Sequence, residues 1–289
     1  MSSVEPARAG VIHDLGYQRY TGPRLGRRYA TLSLYTHSLR TAFGLGRSGK
    51  AKVFPWLVVG LVFAVAIVAV VVRSQTNVVF ISYLQYPDTV GVPVLLFLAV
   101  VAPELVCRDL RAHVLPLYFS RPIARPDYAL AKLVAMVSAV WLLLAGPQLL
   151  ILLGGIFAQT GGWRGGWNEF TDFLGGVAYS GITAVVYASV AVLVASLASR
   201  RALAAAAIVG TFLVTAPVVG VLSIVGGSLR ELAPVLNPVT LVGGVKRYLF
   251  HTKVGLDLGI YGPMYVAVAL ALVIVCTTLL LARYRKAGA

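Results

Sequence analysis

Residues Arg108–Lys132, RDLRAHVLPLYFSRPIARPDYALAK, gather five Arg or Lys, two Asp, one His and three Pro within 25 positions. Carboxylates beside a histidine are the raw material of acid–base chemistry, which works only where such groups converge on one reacting atom. This segment strings them out among prolines and basic residues. Elsewhere His13, His37 and His251 are scattered, with no His-Glu-x-x-His pair, no Gly-x-Ser-x-Gly elbow and no carboxylate pair at helical spacing. Cys107 and Cys276 have no neighbouring His or Cys, so they read as small apolar residues rather than metal ligands or a disulfide. Gly44–Lys50, GLGRSGK, has the outline of a phosphate loop. Ala51 follows its lysine where Ser or Thr would hold magnesium, and no buried strand precedes it. Neither a catalytic residue nor a metal site is expected, and the chain reads as a non-enzyme.

The elements around the charged segment account for its setting. The chain is 58% hydrophobic and 12% charged, against roughly 25% charged in an average soluble domain. Its apolar residues fall into runs near the ~20 residues a helix needs to cross a bilayer. Six runs are predicted, at about 53–72, 90–107, 127–157, 174–197, 202–225 and 264–282. Pro55 suits a first helical turn, whereas Pro147 removes an interior backbone bond and predicts a kink, and Pro217 falls inside the fifth run. The predicted fold class is all-α, a polytopic membrane protein with six transmembrane helices. It divides into a cytoplasmic N-terminal segment 1–52, a transmembrane domain 53–282 and a cytoplasmic tail 283–289. The N-terminal segment is polar and basic, without the apolar stretch and cleavage site of a signal peptide.

Charge distribution orients these spans. With the N-terminus inside, nineteen Lys and Arg fall on the inner side and six on the outer side, matching the positive-inside rule at every inner loop. The net charge of +15 is therefore topological, and nucleic acid is not an expected partner. The expected location is the cell (inner or plasma) membrane, multi-pass, with both termini cytoplasmic. No Asp, Glu, Lys, Arg or His falls well inside a predicted span, which weighs against ion-coupled carriage. Any active movement must then draw energy from another chain. Small residues at Gly176, Ser180 and Ala184, and at Ala202, Ala206 and Gly210, mark faces where helices approach closely.

Between the spans, residues about 29–44 predict an amphipathic helix lying in the inner interface, with Leu32, Tyr35, Leu39 and Phe43 on its apolar stripe and Ser33, His37 and Arg40 opposite. Gly44, Gly46 and Gly49 predict a flexible corner before the first span. Trp163 and Trp167, in a Gly-rich outer turn with Glu169 and Asp172, fit an aromatic belt. The 226–263 connection predicts one or two short outer helices.

In Arg108–Lys132, Leu110, Val114, Leu117 and Tyr118 form one apolar stripe of a short cytoplasmic helix that Pro116 limits. Pro122 and Pro126 stiffen the bend that follows, because each disfavours helix at the residue before it. Pro126–Asp127 make a good first turn for the third span, with the carboxylate at the helix's positive end. An ordinary positive-inside loop needs neither the prolines nor the stripe, so the segment reads as a docking element.

A span ending in Glu104, a basic segment and then Leu117, Ser120, Arg121, Pro122, Ile123, Arg125, Tyr128 and Lys132 resembles the permease subunits of type-2 ATP-binding-cassette exporters. Where that family commonly has Gly-Thr, this chain has Ala112-His113. The resemblance extends to six spans, an amphipathic helix before the first and a long outer loop before the sixth. It implies a permease without its own ATPase site, paired with a second copy or a homologue and with cytoplasmic ATPase subunits that bind ATP and Mg. It also implies that the second-to-third loop contacts the ATPase, through Glu104, Arg108, Asp109, Arg111, Val114, Leu117, Tyr118, Arg121, Pro122, Arg125 and Tyr128. Membrane lipid is the other expected partner. The alternative is a passive channel, secondary carrier or accessory membrane subunit. Uncharged spans favour an amphipathic substrate over an ion.

Overall fold

A computed structural model describes residues 22, 25–46, 49–111, 118, 123–158, 162–198, 200–225, 228–252 and 260–286. Among them the regular structure is entirely helical: α1 (Arg27–Ala42), α2 (Gly49–Thr76), α3 (Tyr86–Thr89), α4 (Gly91–Arg111), α5 (Arg125–Ala158) and α6 (Gly162–Leu197). These are followed by α7 (Arg201–Leu213), α8 (Thr215–Val225), α9 (Ser228–Leu232), a 3-10 turn (Ala233–Leu236), α10 (Pro238–Phe250) and α11 (Gly262–Lys286). Among the described residues five stretches are long and apolar enough to cross a membrane: Ala51–Thr76, Arg125–Phe157, Gly162–Leu197, Arg201–Leu222 and Gly262–Arg285. Gly91–Cys107 is apolar but shorter.

Helix α2 shows why these segments are helical. Its 64–72 run, AVAIVAVVV, is rich in β-branched residues that favour strands in water. A hydrocarbon solvent leaves the backbone no partner but itself, and the helix wins. Val58, Val62, Ala66 and Ala69 form its buried stripe, while Leu57, Leu61, Val68 and Val71 lie exposed on the other side. Helix α4 is the central element. Val94, Phe97, Leu98, Val101, Ala102, Leu105 and Val106 are all buried, and α4 packs on α1, α2, α6 and α7. Helix α5 packs along α6, α1 and α2, and α11 on α6 and α10.

The helices alternate in direction, which creates two polar ends. The base carries the start of α2, the end of α4, the start of α5, the end of α6, the start of α7 and the end of α11. The crown carries the opposite ends of α2, α4, α5, α6 and α11 together with α3 and α10, while α7 stops partway along the bundle, where Phe212 meets Tyr187 of α6.

Four expectations need correction. The fourth helix starts at Gly162 rather than about 174, so Trp163, Trp167, Glu169 and Asp172 sit on helix, not in a turn. The glycines there are poor helix formers, and the helix is held through them by Glu169, which is ion-paired to α2. The fifth run is split at Val214. Pro217 lies four residues beyond Leu213, and its ring clashes with the carbonyl at that distance, which ends α7 there. Helix α1 does not spread its whole apolar stripe over an interface. Tyr35, Leu39 and Phe43 pack against the core, with the Phe43 ring 5.9 Å from Phe97, and Leu32 stays 60% exposed. Gly49 belongs to α2, so the corner is made by Gly44 and Gly46. Gly44 N–H bonds Thr41 O and Leu45 N–H bonds Arg40 O, a Schellman close of α1 with Gly44 at positive φ. A methyl on Gly44 would come 2.9 Å from the Ala51 carbonyl oxygen.

The 226–263 connection does form short helices. Asn237 caps α10 by accepting from Val239 N–H at 2.7 Å and donates to the Phe212 carbonyl at 3.0 Å, beside the α7–α8 break. Gly244 of α10 lies flush against the Tyr265 ring. This helix is therefore docked on the bundle through α11.

Candidate functional site

At the base, the end of α4 and the start of α5 are joined by ionic bonds. Lys132 Nζ lies 2.9 Å from Asp109 Oδ2, and Tyr128 donates its hydroxyl to the same oxygen at 2.5 Å. Lys132 is only 5% exposed, although it stands two turns inside a membrane-length helix. The family resemblance puts a lysine at the opening of the third span, and here that lysine is buried at the foot of α5. A buried ammonium persists only when paired, and Asp109, at the end of α4, is close enough to pair it. Tyr128 is 0% exposed. Its ring packs 5.4 Å from Tyr118 and 5.3 Å from Tyr284 of α11, centre to centre.

Four further links surround this core. Glu104 pairs with Arg201 of α7 at 2.6 Å. Arg125 donates to the Arg285 carbonyl at 2.8 Å. Asp127 accepts from Ala124 N–H and from Nε and Nη2 of Arg27, so it closes the α5 N-terminus as its position predicted. Cys107 points its thiol at the Ala195 carbonyl, 3.2 Å away, and fastens α4 to α6.

The residues expected to meet a partner thus divide. Glu104, Asp109, Arg125 and Tyr128 are engaged in holding α4, α5, α7 and α11 together. Tyr118 packs on Tyr128. Arg108 and Arg111 belong to the last turn of α4, and their side chains lie outside the described residues. Val114, Leu117, Arg121 and Pro122 also lie outside them, as do Ala112, His113 and Pro116. The partners Arg201, Tyr284 and Arg285 were not singled out from sequence. Their only signal is that basic and aromatic residues sit at the base ends of their helices.

The crown holds a second set that sequence did not bring together. Arg73, at the end of α2, makes a two-pronged pair with Glu169 of α6 at 2.6 and 2.7 Å. Tyr83 donates to the same carboxylate at 2.6 Å. Burial first, and the bond to Glu169 second, hold the Tyr83 phenol far above its ordinary range, so it remains a donor at physiological pH. Gly155 of α5 makes the space: a methyl there would overlap Glu169 Oε1 and come 2.8 Å from Arg73 Nη1. Beside it, Asp88 accepts from Tyr179 at 2.6 Å and pairs with Lys246 of α10, whose ammonium sits 5.3 Å over the Tyr179 ring.

Between the ends, Gln148 of α5 is fully buried and donates to Ser180 of α6 at 2.8 Å. A methyl on Gly176 would lie 2.5 Å from Gln148 Oε1 and from Tyr83 Cβ. The first small-residue face is therefore a close α5–α6 contact. The second is not: Ala202 and Ala206 of α7 face outward, while Ala204, Ile208 and Phe212 face in.

Among the described residues no three His, Cys, Asp or Glu side chains gather into a cluster that could hold a metal ion. What the two ends can do is mechanical. Each ties helix ends together by buried charges, so displacement of one helix end is passed to its neighbours. Compared with known proteins, the chain matches no family model and no curated protein.

Proposed function

We propose that this chain is the membrane-spanning permease subunit of a type-2 ATP-binding-cassette exporter. In this reading α4 is a sixth crossing helix: its 21 residues at 1.5 Å rise span about 31 Å, the thickness of a hydrocarbon core. The base faces the cytosol, where the positive-inside rule puts the basic residues, and both termini lie there. The chain pairs with a second copy or a homologue and with two ATPase subunits. Those subunits hold ATP and Mg, and the permease itself performs no chemistry.

The observation that carries this reading is the base lattice. Asp109–Lys132, Tyr128–Asp109, Arg125–Arg285 and Glu104–Arg201 enclose both ends of the 112–122 connection. A load applied to that connection reaches α4, α5, α7 and α11 together. A solvent loop hung between two independent helices would transmit little, whereas a connection whose two ends are tied by the buried Asp109–Lys132 pair and the links around it acts as a lever. Membrane location and the resemblance of 117–132 to the family motif support the same conclusion.

Co-purification from membranes tests it. The full chain should retain an ATP-binding-cassette ATPase in detergent. Arg121→Ala should lower that recovery about tenfold, the equivalent of one charge-assisted contact. Tyr128→Phe keeps the ring but drops the bond to Asp109, so it should leave recovery intact while lowering ATP hydrolysis by the complex. A chain that inserts normally yet retains no ATPase would overturn the reading in favour of a channel, carrier or accessory subunit.

A further inference from the structure

Helix α1 and the first turns of α5 leave an open groove of about 590 Å³ between them, a volume within the roughly 300–1,000 Å³ of small-molecule sites. Its polar end is formed by Arg27, Arg28 and Asp127, and its apolar walls include Leu32, Leu130 and Val134. Tyr35 contributes a ring rather than a donor, because its hydroxyl is committed to Ser138 at 3.0 Å. Leu130 and Val134 are one turn apart on α5, inside the membrane-length stretch Arg125–Phe157. They are 39% and 49% exposed, so the slot is continuous with the surface a bilayer would cover.

The charges at the mouth do not cancel. Arg27 and Asp127 neutralise each other through their two-pronged pair. Arg28 has no ion pair among the described residues, which leaves one positive charge beside an apolar slot. A free phosphate would use that charge and leave the walls bare. A lipid without net charge would cover the walls and leave the charge unanswered. The ligand that answers both is an amphiphile with an anionic head and a hydrocarbon tail.

We propose that the α1–α5 groove binds one anionic phospholipid, its phosphate against Arg28 and an acyl chain along Leu32, Leu130 and Val134. The bound lipid wedges α1 against the foot of α5, next to Asp127 and the base lattice. This rests on the membrane-spanning reading with the base towards the cytosol, and not on the ATPase partner.

The test uses the purified full chain in detergent, with native mass spectrometry after addition of phosphatidylglycerol or of phosphatidylcholine with the same acyl chains. Phosphatidylglycerol should be retained and phosphatidylcholine lost. Arg28→Gln should lower retention about fivefold, the effect of one basic residue near an anionic headgroup. Val134→Trp, which fills the slot, should abolish retention, and both variants should keep the parental unfolding midpoint. In vesicles, phosphatidylglycerol with a photoreactive acyl chain should label the peptide containing Leu130 and Val134. Equal retention of the two lipids, or retention indifferent to both substitutions, would overturn the proposal. So would competition by glycerol phosphate at the potency of the lipid, which would mark a site for phosphate alone. Labelling seen only after deletion of residues 1–21 would show that the chain's own N-terminal segment fills the groove. Labelling restricted to lipid in the outer leaflet would reverse the assigned orientation and leave the groove intact. Loss of the ATPase partner would leave every one of these readouts unchanged.

Discussion

The base and the crown solve the same problem with different sequence reach. Both fasten helix ends by a carboxylate that takes a cation and a tyrosine hydroxyl: Asp109 with Lys132 and Tyr128, and Glu169 with Arg73 and Tyr83. At the centre of the base the tyrosine and its carboxylate are 19 positions apart, within one loop and its flanking turns, and only the surrounding links, Arg125–Arg285 and Glu104–Arg201, reach across the chain. At the crown the links join residues 96, 86, 91 and 158 positions apart. A lattice rooted around one short connection is suited to receive force at that connection. A lattice drawn from the whole chain is suited to hold the far end of the bundle together. On the proposed reading, the base is where the helices are driven and the crown is what they are held against.

Substitutions can break this contrast. The largest expected effect is at the crown. Glu169→Gln leaves the Arg73 guanidinium without its charge partner among buried groups, which should cost about 3–5 kcal/mol in the thermal unfolding of the full chain in detergent. Gly155→Ala should produce part of the same loss. The two effects should add poorly, because the methyl displaces the same carboxylate. Full additivity would mean that Gly155 does not shape the pair.

At the base, Asp109→Asn should cost less, about 3 kcal/mol, because Lys132 and Tyr128 share one oxygen of Asp109 that an amide retains, whereas the two-pronged Arg73 pair needs both oxygens of Glu169. Its distinguishing effect should be on ATP hydrolysis by the complex, which Glu169→Gln should not alter per folded molecule. Equal effects of the two variants on hydrolysis would erase the distinction between the ends. The smallest effect is expected for Lys246→Met, about 1 kcal/mol, since Asp88 is 40% exposed and water screens the pair. A larger loss would show that α10 is latched to the crown more firmly than its ion pair provides.

Sequence made some particular features legible. Asp127 was read as an N-terminal carboxylate for the third span from its place after Pro126, and it accepts from Ala124 N–H. Gly44 was read as part of a corner and closes α1. These are local rules, acting within one turn of helix. Glu169 was misplaced because its partner Arg73 is nearly a hundred residues away. Nothing near it announces that a Gly-rich stretch will be held helical. Lys132 was seen in a motif, but its burial depends on Asp109 arriving from another helix.

The sequence by itself determined that the chain is helical, that five or more of its segments can cross a membrane, and which ends are basic. Those properties follow from apolar run length and charge count, which need no partner to have their effect. Tertiary structure decided which charges are buried, which tyrosines answer them and which apolar faces stay open, Leu130 and Val134 among them. Those depend on which helices pack side by side, and the energy of a charge depends on what stands within a few ångströms of it.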